Sequence, residues 1–436
     1  MSTSTDTLYP QRPANISRLF HFFAIPLFSV LMVFNLAAVA VILVIAFTLQ
    51  GARWLLAKIP GVSAASGAWV RGYHRLVQRL ANKILKDPRD EQILAAAISL
   101  SVTAVPVFIA QLWLKEISWP LVVAFYACVY GPNIRSFVRS FSAMHQDGHV
   151  PGGIFKQSSV LDRWVGNSFL YMYFAIPMGL TPHAAAHLQQ HHRESAGPLD
   201  VYATARYDHA NLWHFMVYMV REVMYQQLLI SPWLYFKSKD KPTQARSMVA
   251  GVLVHLGVFV ALALYSLPIA VLYMLVPWCA SNILMGVIHW SQHAFYGGQQ
   301  DPHDWMYNTV TLLEKPVNIF NEGYHACHHH WSIGHWSEAP ALFEKLKPEL
   351  AAAQSMVFRD LSVLDIFFML IFRRFDAMAH KLDWWEPLTH EEKVQLLRRR
   401  VLPAPIHAHE QAHQHRTPAP SSAPEPQAAY NAMSPP

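Results

Sequence analysis

The chain has 436 residues, 53% of them hydrophobic and only 14% charged, with a mean hydropathy of +0.17. A soluble domain carries roughly a quarter charged residues, so this is the composition of a membrane protein with sizeable polar parts. The net charge of +6 fits basic membrane loops rather than nucleic-acid binding, and three cysteines without a C-x-x-C exclude a disulfide framework.

Residues 1–20 are polar. Residues 21–50 form an apolar run long enough to span, since a bilayer needs about 20 apolar residues. The run is too long for a signal-peptide h-region of roughly 7–15 residues. Residues 51–92 are basic. Arg71, Arg75, Arg79 and Lys83 recur every four residues, and Val70, Leu76, Val77, Leu80 and Ile84 supply an apolar face. This pattern predicts a cationic amphipathic helix on a membrane surface.

Second and third spans are predicted at 93–113 and 118–135, joined by the short link 114–117. A fourth and fifth follow at 248–266 and 269–288, around Pro268. Shorter apolar stretches at 165–180, 210–236 and 355–373 carry polar interruptions and read as interfacial helices. The positive-inside rule puts the basic 51–92 loop in the cytoplasm, and residues 136–247 and 289–436 with it. The tail from about 403 is too poor in apolar residues to pack and reads as disordered.

The expected fold is therefore an all-α integral membrane protein. Transmembrane helical hairpins are capped by a cytoplasmic histidine-rich helical domain. The expected divisions are an N-terminal span and basic helix over 1–92, a membrane and catalytic domain over 93–400, and a tail over 401–436. No GxxxxGK[ST] or GxGxxG occurs, so no phosphate-cradling site is indicated.

The chain has 25 histidines, and outside the tail most fall in four clusters. These are His145 and His149; His183, His187, His191 and His192; His289 and His293; and His325, His328, His329 and His330. Helical residues four apart share one face, so 145/149, 187/191, 289/293 and 325/329 are each spaced to reach one metal. His192 and His328 are offset by about 100° in helical rotation, which suits a second metal nearby. Imidazole-rich ligation fits iron, copper, zinc or nickel. All four clusters share one membrane face provided that 165–180 does not cross.

Isolated histidines are ordinary core or surface residues by default, and His74, His214, His255, His380 and His390 are read so. His407, His409, His413 and His415 in the tail are read as adventitious metal binders at most. Cys327 is read as filling space. Asp147, Asp200 and Glu322 lie near the clusters, and of these Glu322 is favoured to orient an imidazole. Aromatic residues near the clusters, such as Trp164, Phe169, Tyr171, Tyr173, Trp290, Phe295 and Trp305, are read as core or interfacial anchors rather than a substrate tunnel.

The order H-x3-H, H-x3-H-H, H-x2-H-H across hairpin pairs resembles the integral-membrane fatty acid desaturase/hydroxylase superfamily. Glu322-Gly-x-His325-x-x-His328-His329 is the most specific element, and the resemblance covers about 95–345. It implies two non-haem irons that activate O2 against an unactivated acyl C–H bond. Carried over by motif position, the ligands would be His145, His149, His187, His191, His192, His325, His328 and His329. The family also uses a histidine at the end of the last span, which makes His293 the ninth. His289 stands where the family often has Asn and is a less certain ligand, as is His183.

The resemblance further implies an O2-dependent non-haem di-iron oxidoreductase that works on fatty acyl chains in the membrane. Its active site would face the cytoplasm, at the inner membrane if the cell is bacterial. A separate donor, ferredoxin-like or b-type-cytochrome-like with a reductase, would supply electrons, since no flavin or haem module is visible. Desaturation is the leading expectation. A hydroxylase, an acetylenase and a terminal-alkene-forming decarboxylase are the alternatives on the same centre. A histidine-rich metal transporter is the alternative from another class; it requires ionisable ligands at mid-membrane, where only His255 stands.

Overall fold

The computed structural model describes residues 18–59, 61–150, 152–156, 173, 187–194, 200, 202–223, 230–299, 304–313 and 318–404. The expectations for 165–180, for His183 and for the tail beyond 404 lie outside the described residues.

The chain is mostly helical. Helix α1 covers Arg18–Ala57 and contains the first apolar run. The basic helix α2 is Val62–Ile84. Its Arg71, Arg75, Arg79 and Lys83 are exposed, while Val77 and Ala81 are buried. Trp69, Val70, Leu76 and Ile84 stay exposed as well, so a second apolar surface faces outward.

Helices α3 (Glu91–Val102) and α4 (Ala104–Leu114) together cover the second expected span, with a break at Thr103. The third begins with α5 (Trp119–Tyr130). Gly131 then turns the chain at φ 66, where a Cβ would run into Ser136. Helix α6 (Arg135–His149) follows.

Further along come α7 (Leu212–Tyr218), α8 (Ile230–Ser238), α9 (Pro242–Ala270) and α10 (Val276–Gln292). Four helical stretches are long and apolar enough to cross a membrane: Ser29–Ala57, Pro88–Leu114, Trp119–His149 and Pro242–Gln292. The last holds 51 residues, roughly 77 Å of helix against a hydrocarbon core of about 30 Å. It contains both the fourth and fifth expected spans, and Ser266 between them is extended rather than helical (φ −162, ψ 107).

The remaining elements are β1 (Val310–Leu313), α11 (His325–His330), α12 (Ala339–Ala352), β2 (Met356–Arg359), α13 (Val363–Ile371), α14 (Phe375–Ala379) and α15 (His390–Arg400). One stretch departs from the all-α expectation. The stretch 355–373 does not form one interfacial helix; its first part is β2, and helix starts only at Val363. The cause is pairing: Met-Val-Phe-Arg lies parallel to Val-Thr-Leu-Leu, with Val310 opposite Met356 and Leu313 opposite Arg359.

The chain falls into two compact units. One comprises Met1–Val30, Ala185–Val249 and Asn282–Pro436; the other comprises Leu31–Ala184 and Ala250–Ser281. In the second, aromatic and polar side chains tie the apolar helices together. Tyr126 Oη donates to Leu272 O at 2.5 Å and Tyr273 Oη to Gln111 Oε1 at 3.2 Å. A hydroxyl buried among apolar helices needs such a partner, because no water is there to replace it.

In the first unit the strand pair is the organiser. Val310, Leu312, Met356 and Phe358 enter one apolar cluster with Ile366, Leu370, Met378 and Leu397. The alternate residues Leu313 and Val357 enter another with Ala326, Cys327, Phe343, Leu346 and Leu350. The period of two thus buries both faces of a parallel pair, one against α13–α15 and the other against α11 and α12.

Candidate metal centre

Helix α11 carries the last histidine cluster and owes its placement to β1. Leu312 N donates to Gly323 O at 2.7 Å, and Thr311 bridges Tyr324. Asn321 Nδ2 donates to Trp336 O, which fixes the turn into the helix. Ala326 and Cys327 face the sheet-side core. Residues 325, 328 and 329 therefore point the other way, by the 100° step of a helix. Burial drives the Cys327 thiol up to about 12, which keeps it a protonated packing group rather than a thiolate.

Within the first unit the imidazoles form two groups. The first is His191, His293, His325 and His329, with one ring nitrogen from each lying within 4.8 Å of the others. His293 Nε2 and His325 Nε2 are 3.0 Å apart. That is the separation of two nitrogens held at about 2.1 Å on one metal. All four residues are buried. His191 Nε2 and both ring nitrogens of His329 are enclosed with no hydrogen-bond partner among the described residues. Buried polar nitrogens without partners are costly, and a bound cation would satisfy them.

Second contacts set the tautomers. His191 Nδ1 donates to Asp200 Oδ2 at 2.6 Å, and Tyr202 N donates to the other carboxylate oxygen at 2.9 Å. His293 Nδ1 donates to Asn308 Oδ1 at 2.9 Å. Thr204 Oγ1 donates to the His293 carbonyl at 2.8 Å. Both rings thereby present Nε2 inward, as metal-ligating histidines do. Burial, then the neighbouring His191, pulls His293 down to about 3; burial, then His325, holds His329 well below the usual imidazole value. Both are neutral bases at physiological pH, the form that binds metal.

The second group is His187, His192 and His328. His187 Nε2 and His192 Nε2 are 3.0 Å apart, and the His328 ring centroid lies 4.6 Å from that of His192. Here the helical rule of four residues fails. Residues His187–His191 form a π-helical turn. A π turn hydrogen-bonds i to i+5, so His187 aligns with His192 and His191 turns to the other group. His289 lies between the groups, its ring 6.0 Å from His191 and 6.4 Å from His187, and packs on Tyr202 at 3.9 Å. It joins neither group of converging nitrogens.

His145 and His149 belong to the other unit. They face each other on α6, Nε2 to Nε2 at 2.9 Å. Asp147 beside them accepts from Ile154 N and shapes the loop that follows. Glu322 is half-buried, with its amide donating to Ile319 O. His330 is half-buried near Trp305, with ring centroids 6.0 Å apart. Of the aromatic residues, Trp290 and Phe295 are fully buried core.

Asn308 was missed at the sequence level, and Asp200 was passed over in favour of Glu322. Neither has a local signal: each meets its histidine only through the fold. His209 was missed as well. It is fully buried between Trp290 and Tyr296, and burial pulls it down to about 3.

Apolar helices of spanning length combined with converging imidazoles define a helical membrane protein equipped to hold metal. The fatty acid desaturase family matches residues 117–360, more than half of the chain, and the protein belongs to that family. Comparison with curated proteins and with solved structures gives no match.

Proposed function

We propose that the protein is a membrane-bound di-iron oxidase that uses O2 to desaturate fatty acyl chains. The observation that carries this reading is the dry convergence of His191, His293, His325 and His329, with two of the rings fixed by Asp200 and Asn308. His187, His192 and His328 would hold the second iron. His145 and His149 enter the ligand set by their motif position, and His289 and Glu322 act beside it. When bound, the irons supply the oxidant that O2 chemistry on a C–H bond requires.

The chain's own groups do the rest. Asp200 and Asn308 orient two of the imidazoles, burial holds His293 and His329 in the neutral form, and the core around Trp290, Phe215 and Tyr218 excludes water. In the balanced reaction, O2, one acyl CH2–CH2 unit, two electrons and two protons give one C=C bond and two waters. The two electrons come from a separate ferredoxin-like or b-type-cytochrome-like donor. The histidine groups lie on the cytoplasmic side, and Pro242–Gln292 crosses twice with its turn near Ser266. The N-terminal 1–92 segment anchors the chain, and residues 93–400 carry the catalysis.

Mass spectrometry of lipids and headspace volatiles tests this, comparing cells that express the protein with cells that express His328→Ala. A new acyl double bond present only with the parent is the expected result. A new hydroxyl, a triple bond or a terminal alkene with loss of CO2 would assign the sibling reaction instead. Identical profiles would contradict an acyl oxidase.

A further inference from the structure

We propose a second metal site, independent of the histidine groups above, formed by Asp376, His380 and His390 and suited to a borderline divalent cation such as zinc. In the sequence His380 and His390 stand ten positions apart as isolated histidines, ordinary core or surface residues by default. The fold brings them together. Asp376 lies on α14 and His380 directly follows it, so the two side chains sit one turn apart on one face. His390 opens α15. His390 Nε2 and Asp376 Oδ1 are 2.7 Å apart, and the two imidazole centroids are 4.2 Å apart. One ligand atom from each residue lies within 4.8 Å of the others.

The backbone under this cluster is anchored. Phe375, Met378, Ala379, Val394 and Leu397 pack in one core, and Lys393 Nζ donates to Leu382 O at 2.9 Å. Thr389 and Glu392 close a capping box at the start of α15. Only side-chain rotation is therefore needed to draw the three donors to the 2.0–2.2 Å reach of zinc. Two imidazoles and a carboxylate are a zinc donor set, and the exposed position leaves a fourth place for water. A cation here would pin α14 to α15.

The test uses the full chain in lipid nanodiscs, with His407, His409, His413 and His415 replaced by alanine so that the tail cannot bind metal. Zinc is titrated from a chelator buffer while iron is counted separately. The expected result is one zinc equivalent whose affinity falls at least tenfold in His380→Ala and in Asp376→Asn, with iron unchanged. Zinc is also expected to raise the Tm of the parent and not that of His390→Gln, which guards against a variant that merely folds poorly. Zinc binding that survives all three substitutions marks an adventitious ion only and overturns the site, as does a failure of the parent to bind.

Discussion

The two imidazole groups of the first unit share a chemistry and differ in surroundings. His191, His293, His325 and His329 are buried, and two of them are steered by Asp200 and Asn308. In the other group His187 is buried, whereas His192 and His328 are half-buried. Desolvation holds His293 and His329 in the neutral form, so part of the group's readiness for metal is built into the fold. The more open group must gain its order from the metal and from its neighbours. Burial thus decides which group is preorganised and which is adaptable.

The largest effects should come from removing a nitrogen in the buried group. His293→Ala or His329→Ala should take product formation below detection and lower bound iron, whereas His192→Ala should leave part of the iron in place. Product assays with metal analysis on the same preparations check this, and equal iron loss in both classes would erase the distinction.

Next come the steering residues. Asn308→Ala and Asp200→Asn should lower iron affinity or turnover by about 10–100-fold while the fold persists, the usual cost of losing a partner behind a ligand. Iron titration against a competing chelator measures it. A change under about twofold would mean that the rings are oriented by packing alone.

The pH response separates the groups differently. An unfolded histidine titrates near 6.5, whereas folded His293 sits at about 3. Below about pH 6.5 the unfolded chain therefore binds the proton that the folded one refuses. Stability of the metal-stripped protein should fall as pH drops from there toward 3, by about 1.4 kcal/mol per pH unit for each such imidazole. Tm measured from neutral pH downward tests the sign, and His293→Gln should flatten the slope.

Smaller effects lie in the support. Arg400 is buried and donates to Phe295 O, Gln354 O and Tyr307 O at 3.2, 3.0 and 2.5 Å, with its guanidinium 3.5 Å over the Tyr307 ring. Burial lowers it to about 10, so it stays charged at neutral pH. It ties α15 to the loop after His293 and to the turn that bears Asn308. Arg400→Ala should cost about 3 kcal/mol in unfolding, since three buried carbonyls lose their donor. The least effect is expected of Cys327→Ala: about 1 kcal/mol of stability from the lost sulfur, with iron retained.

Much of this was legible in the chain. Apolar runs and basic stripes marked the long apolar helices and helix α2, because length and simple periods show in the sequence. The histidine spacing marked the residues that cluster. What escaped depends on the path of the backbone. A π turn exchanged the partners of His187, and nothing in His-Leu-Gln-Gln-His signals one. A short apolar stretch reads equally as helix or strand, and only the partner strand Val310–Leu313 made Met356–Arg359 a strand. Asp200, Asn308 and the pairing of His380 with His390 are contacts of tertiary structure with no local signature.

Iron held by the two histidine groups is what the proposed chemistry requires above all. Metal analysis of the purified full-length protein, with Mössbauer spectra of an iron-57 preparation, tests it most directly. About two irons per chain are expected, with His293→Ala losing at least one. Full turnover with zinc in place of iron, or an iron content untouched by His293→Ala, would contradict it.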